Sequence, residues 1–193
     1  MNFLEQKILA DGVVKPGNVL KVDSFLNHQI DIRLMHKIGE EFKRRFADVQ
    51  FNKVLTIEAR GIAIAAFIAY LNDVPVVFAK KGQTVNSTDD KYVAKAYSFT
   101  HKKFNDIFVS RPYLKPTDKI LIVDDFLADG EASKALIDLV KQAGAELVGV
   151  GIAIEKGMQP GGAKLRAAGV RLESIAIVDS MDAETGFIKF REQ

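Results

Sequence analysis

The sequence predicts an α/β fold: a mainly parallel sheet with helices on both faces. Three observations predict it. From about residue 53 onward, short apolar runs alternate with helix-patterned stretches. The run KILIVD, Lys119 to Asp124, reads as the clearest buried strand and passes through a short turn into a helix. The chain has 193 residues, 48% of them hydrophobic, which suffices for one domain with a buried core.

The elements follow in order. Phe3 to Ala10 has a helical pattern. Ile30, Leu34, Ile38, Phe42 and Phe46 recur every four residues, one apolar helical stripe with Asp31 near its N-cap. Lys53 to Glu58 reads as a buried strand, Gly61 to Asn72 as a helix and Val74 to Lys80 as a strand. Lys81 to Asp90 is polar and contains glycine, so a loop is expected there. Tyr92 to Thr100 and Phe104 to Ser110 read as strands beside it. After KILIVD, Gly130 to Ala143 is a helix ended by Gly144, Leu147 to Glu155 a strand, and Pro160 to Ala168 a short helix ended by Gly169. Val170 to Val178 and Gly186 to Phe190 close the pattern as strands joined by a turn at Asp182 to Thr185.

Composition narrows the function. Lys and Arg total 27 against 25 Asp and Glu, and they are scattered, which argues against tracking a nucleic-acid backbone. The absence of cysteine excludes disulfides, Cys zinc sites and a thiol nucleophile, and fits a reducing compartment. The N-terminal MNFLEQKILADG does not read as a signal peptide, and the longest apolar run, Gly61 to Leu71, is about half a membrane span. A soluble cytoplasmic protein with no membrane partner is expected. His28, His36 and His101 have no metal-ligand spacing, and His36 is expected on the solvated side of its helix. Tyr97 and Phe99 are expected in the core or an interface.

Ligands of such folds bind beyond the carboxyl ends of the strands, so the residues after each strand carry the chemistry. After KILIV come Asp124-Asp125-Phe126-Leu127-Ala128-Asp129-Gly130-Glu131-Ala132. A helix beginning at Gly130 offers free N–H groups and a positive dipole end to a phosphate. Carboxylates one turn earlier can accept from sugar hydroxyls. Taken alone, the pattern also suits a strand-end turn with an Asp cap, or a metal-binding receiver domain. The receiver reading needs another Asp at a central strand end, and Glu58 is a poor substitute.

ILIVDDFLADGEA resembles the PRPP-binding signature of type I phosphoribosyltransferases. DSFLNHQID at Asp23 to Asp31, VPVVFAKK at Val74 to Lys81, AYSFT at Ala96 to Thr100 and VKQAGAELVGVGIAIEKGMQPG at Val140 to Gly161 are similar, in order and spacing, to the xanthine-using branch of that family. The resemblance spans nearly the whole chain. It implies one domain over residues 1–193, with a hood over the base formed mainly by residues 1–30 and part of the C-terminal region. It implies transfer of the phosphoribosyl group from PRPP to xanthine, with Mg²⁺ carried by the substrate rather than by direct protein ligands, in a cytoplasmic homodimer.

The resemblance also implies residue roles. Asp124 and Asp125 would stand beside the ribose hydroxyls as the catalytic pair. Ala128, Asp129, Gly130, Glu131 and Ala132 would form the PRPP 5′-phosphate loop. Leu20, Asn27 and Lys156 would contact the base. Lys156 can only donate, which favours a 6-oxopurine over adenine, and Asn27 both donates and accepts. Arg60, Lys80 and Lys81 would grip pyrophosphate, and Glu58-Ala59-Arg60-Gly61 would hold a non-proline cis peptide, expected between Ala59 and Arg60. Without the resemblance, Lys156 reads as a solvated strand end, Arg60 as a surface arginine and Asn27 as a cap. One departure stands out: the family loop has an amide or hydroxyl where this chain has Asp129, and no acid where it has Glu131. Met158 occupies a variable position near the base. Two alternatives follow from the same residues: a hypoxanthine/guanine enzyme, or a non-catalytic PRPP-sensing regulator. Such regulators carry a DNA-binding module, whereas the fifty or so residues before the first core strand match the hood.

Overall fold

The computed structural model describes residues 1–82, 90–98 and 103–193. Most of the expected 81–90 loop, together with Phe99, Thr100 and His101, lies outside the described residues. The chain begins with helix α1 (Phe3–Asp11), which Asn2 caps in a reciprocal capping box with Glu5. A hairpin of β1 (Val13–Lys15) and β2 (Val19–Lys21) follows, then a π-helical turn at Asp23–Asn27. Helix α2 (Ile32–Arg45) starts on Asp31, whose carboxylate accepts from the Leu34 N–H at 3.1 Å. Leu34, Ile38, Phe42 and Phe46 are buried as the periodicity predicts, but Ile30 precedes the cap and is 42% exposed. The helix cannot extend its stripe back past the residue that caps it. His36 faces solvent and pairs with Glu40.

The rest alternates. β3 (Lys53–Ile57), α3 (Gly61–Asn72) and β4 (Val76–Lys81) lead to the antiparallel β5 (Lys91–Ser98) and β6 (Lys103–Ser110). Then come β7 (Lys119–Leu127), α4 (Glu131–Ala143), β8 (Glu146–Lys156), α5 (Gly161–Ala167), β9 (Leu172–Met181) and β10 (Ile188–Phe190). The sheet runs β10-β9-β8-β7-β3-β4-β6-β5. β9, β8, β7, β3 and β4 pair in parallel, and antiparallel strands flank them on both sides. Parallel strands need both faces covered. Leu121 and Val123 of β7 face the core built by α2 and α3, whereas Ile120 and Ile122 face the core built by α4 and α5. Gly149 and Gly151 on β8 make room for the α2 aromatic rings: a Cβ there would lie 2.6 Å from Phe46 and 2.9 Å from Phe42. Among the described residues, no helix is long and apolar enough to cross a membrane.

Candidate active site

The parallel strands end on one edge of the sheet, and the residues beyond β3, β7 and β8 meet there. β7 runs three residues past KILIVD because Phe126 and Leu127 keep pairing with Ile154 and Glu155 of β8. Asp124 and Asp125 therefore sit within the strand, 5% and 6% exposed. The Asp125 N–H donates to Asp124 Oδ1 at 2.9 Å. Burial, and then the neighbouring Asp125 charge, push the Asp124 carboxyl well above the usual aspartate range, with Lys81 opposing.

The turn after β3 lies against this pair. It holds a non-proline cis peptide, one bond earlier than expected, between Glu58 and Ala59. Arg60 Nη1 reaches Asp125 Oδ2 at 3.6 Å, but the Arg60 side chain is 61% exposed, so this is a loose pair that a ligand can replace. Glu58 accepts from the Lys81 N–H at 2.6 Å, which ties this turn to the end of β4. Lys80 is not brought into the group. Neighbouring strand residues point to opposite sides, and Lys80 lines a separate groove of about 520 Å³ with Val76, Phe78, Phe108 and Tyr113.

Ala128 to Gly130 carry the chain from β7 into α4. Gly130 is the N-cap, at φ +88°, a conformation that favours glycine. With no capping side chain there, the first-turn N–H groups of α4 keep their donors for a ligand. Asp129, Glu131 and Ala132 are half-buried. A cleft of about 170 Å³ is lined by Tyr97, Phe126, Leu127 and residues 128–133. Tyr97 thus joins this cleft, besides meeting Phe104 edge-on at 5.2 Å. The loop is clasped from outside by the Gly161 N–H, which donates to the Ala128 carbonyl at 3.0 Å.

Lys156 ends β8. Its Nζ donates to the Asn18 carbonyl at 2.9 Å and stands 5.9 Å from the Phe126 ring centre. Burial lowers its pKa, and the Asp129 carboxylate offsets part of that. The β1–β2 hairpin turn therefore lies over the end of β8. Leu20, 6% exposed, belongs to the same core as Val22 and Phe25, against which Phe126 and Met158 also pack. Asn27 closes the π-helical turn, its amide 3.4 Å from Asp23 Oδ1.

Among the described residues, four buried polar atoms lack a hydrogen-bond partner: Asn27 Oδ1, Thr56 Oγ1, Asp125 Oδ2 and Gln159 Oε1. Folded proteins rarely leave such atoms unpaired. Three of the four belong to the strand ends described above or to the segment after β8, so unsatisfied buried oxygens lie along this edge of the sheet. Sequence reasoning missed Thr56, Asn18 and Gly161. Gly161 had a local signal, as the first of two glycines after a proline, and so had Asn18, in the Pro-Gly-Asn turn between two short apolar runs; Thr56 had none.

This architecture is that of the phosphoribosyltransferases, and the chain belongs to that family: the phosphoribosyl transferase domain matches residues 21–175. Within it, the xanthine phosphoribosyltransferase of Lachnoclostridium phytofermentans is 56% identical over 191 residues, covering 99% of this chain and 98% of that one. That of Bifidobacterium animalis subsp. lactis is 54% identical over 192 residues, covering 99% and 100%. Among solved structures, the adenine phosphoribosyltransferase of Rhodothermus marinus superposes with a TM-score of 0.71 at 24% identity, covering 90% of this chain and 97% of that one. The likeness in structure carries the fold; the likeness in sequence reaches further.

Proposed function

We propose that the protein transfers the 5-phosphoribosyl group of PRPP to xanthine, giving xanthosine 5′-monophosphate and pyrophosphate. The observation that carries this is a single edge of the sheet where two buried carboxylates, an uncapped helix start and a partly desolvated lysine converge. The near-full-length likeness to xanthine phosphoribosyltransferases selects the base.

In this reading residues 128–132 hold the 5′-phosphate by backbone N–H groups at the start of α4. Asp124 and Asp125 accept from the ribose hydroxyls. Arg60 leaves its loose contact with Asp125 and, with Lys81, takes the pyrophosphate; Lys80 would join only by turning out of its groove. The C1–oxygen bond to pyrophosphate breaks, and a purine nitrogen bonds to C1, its proton passing to solvent. The protein contributes placement and charge. Lys156 donates to a 6-oxo group; the 6-amino group of adenine, itself a donor, cannot accept that bond. Leu20 packs on the ring, and Asn27 Oδ1, buried and unpartnered, accepts from a ring N–H. The hairpin and π-helical turn serve as the hood, one domain with the rest.

Among the described residues no three His, Cys, Asp or Glu side chains are grouped to hold a metal. Asp125 Oδ2 is a hard oxygen with no hydrogen-bond partner and only the loose Arg60 contact, suited to the shell of a substrate-bound Mg²⁺. Such an ion supplies charge neutralisation on the departing pyrophosphate. The reading includes a cytoplasmic homodimer; the exposed Phe78 and Tyr113 beside the β4–β6 groove suit a protein surface.

Two carboxylates flank the phosphate loop. Unit charges about 6 Å apart repel by roughly 3 kcal/mol at an effective dielectric near 20, before screening. The combined change Asp129→Asn, Glu131→Gln should therefore tighten PRPP binding, by about fivefold because both half-buried side chains can turn outward. Calorimetric titration at matched ionic strength checks this; equal or weaker binding would show that the acids face away from the phosphate.

Pyrophosphate release with xanthine, guanine, hypoxanthine and adenine tests the function itself. Xanthine should give the highest kcat/KM and adenine none above background. Highest turnover with guanine or hypoxanthine would replace the substrate and keep the chemistry.

A further inference from the structure

Glu155 and Lys156 are consecutive at the end of β8, so their side chains leave opposite faces of the strand. Lys156 goes to the hairpin. Glu155 goes to α5, where it is 2% exposed. Its carboxylate takes a two-pronged contact from Arg166, at 2.7 and 2.8 Å, and a third hydrogen bond from Ser174 Oγ on β9. The fork geometry and the extra donor are what a buried carboxylate needs to stay charged, here with Arg166 itself partly in solvent. Burial raises the Glu155 pKa, and the Arg166 and Ser174 hydrogen bonds outweigh it, so the carboxylate stays ionised.

The same contact sets the seat of α5. Gly162 lies directly on the carboxylate: a Cβ there would come within 1.9 Å of Glu155 Oε1. Gly161, one residue earlier, lies as tightly on the loop after β7. A Cβ there would come within 2.3 Å of the Ala128 carbonyl oxygen and 2.7 Å of the Gly130 nitrogen. Its N–H makes the 3.0 Å bond that clasps that loop. A shift of α5 against β8 therefore moves Gly161 against residues 128–130. The connection from Glu155 and Arg166 to residues 128–132 runs through the two glycines.

We propose that Glu155 and Arg166 are positioning residues for the phosphate loop, acting through the seat of α5 and the Gly161 clasp. The proposal rests on the reading of residues 128–132 as the PRPP 5′-phosphate loop. Arg166→Lys keeps a charge but loses the fork. Glu155→Gln keeps the shape and leaves no buried charge unpaired, so it keeps the test open should Arg166→Lys fail to fold.

Both folded variants should bind PRPP about tenfold more weakly by calorimetry. Affinity for pyrophosphate and the Michaelis constant for xanthine should stay within about twofold, since those groups lie with Arg60 and Lys156. Without ligand, deuterium uptake in residues 128–132 should be faster and in residues 58–61 unchanged. PRPP affinity retained within twofold, or equal weakening of PRPP and pyrophosphate, would overturn the proposal. If the unaltered protein takes no PRPP, the functional reading falls. The clasp is then judged on uptake alone: faster exchange in residues 128–132 sustains it, and unchanged exchange ends it.

Discussion

Replacing Lys156 by alanine should raise the Michaelis constant for xanthine about a hundredfold and leave that for PRPP within about twofold. The ammonium is partly desolvated and held at 2.9 Å by the Asn18 carbonyl, at the end of a strand whose next neighbour carries the carboxylate pair. A hydrogen bond to a charged group contributes about 1.5–3 kcal/mol, which at its upper end corresponds to two orders of magnitude in binding. Loss of the hairpin anchor acts in the same direction, since the hairpin covers the same edge. A pH profile separates the two effects. Burial lowers the Lys156 pKa, so its charge is lost as pH rises, earlier than for an ordinary lysine, and the neutral amine is a weaker donor. The unaltered protein should show a rise in xanthine KM on the alkaline side that the alanine variant lacks. A large loss confined to PRPP would place Lys156 on the phosphate side instead.

Gly61→Ala should lower kcat/KM for PRPP by at least about a hundredfold and reduce stability by about 1–3 kcal/mol. A Cβ at this position would lie 2.1 Å from Thr56 Oγ1 and 3.0 Å from Asp124 Oδ1. Neither neighbour has space to retreat: Thr56 is fully buried and Asp124 nearly so. The added methyl must therefore push the Arg60 turn outward or displace Asp124. Either movement disturbs the side chains assigned to ribose and pyrophosphate, while Lys156 stays in place. Urea unfolding with steady-state kinetics checks both parts. Wild-type PRPP kinetics in a folded Gly61→Ala protein would show that this turn does not contact the substrate.

What could be read in advance follows from the range of the interactions. The placement of Asp124, Asp125 and residues 128–132 where β7 passes into α4 was legible because the strand, the turn and the start of α4 are contiguous in the chain. The length of β7 was not, because Phe126 and Leu127 are held in the strand by β8, some twenty-eight residues on. The hairpin was missed although its signal is local: Pro16-Gly17-Asn18 stands between Val-Val-Lys and Val-Leu-Lys, and both Gly17 and Asn18 take positive φ. The separation of Lys80 from Lys81 was legible in principle, because alternation in a strand sends adjacent residues apart. The pairing of Glu155 with Arg166 has no local signature; eleven residues and a turn separate them, and only the packing of α5 on β8 brings them together. The placement of the cis peptide at Glu58–Ala59 rather than one bond later likewise had no sign in the sequence.

If one edge of this sheet joins xanthine to the phosphoribosyl group of PRPP, a competition among bases shows it. The most direct measurement incubates the protein with PRPP, Mg²⁺ and equal concentrations of xanthine, guanine, hypoxanthine and adenine, and separates the nucleotides formed. Xanthosine 5′-monophosphate should be the main product, with one pyrophosphate released for each nucleotide. PRPP bound without any nucleotide appearing, or adenosine 5′-monophosphate as the main product, would contradict it.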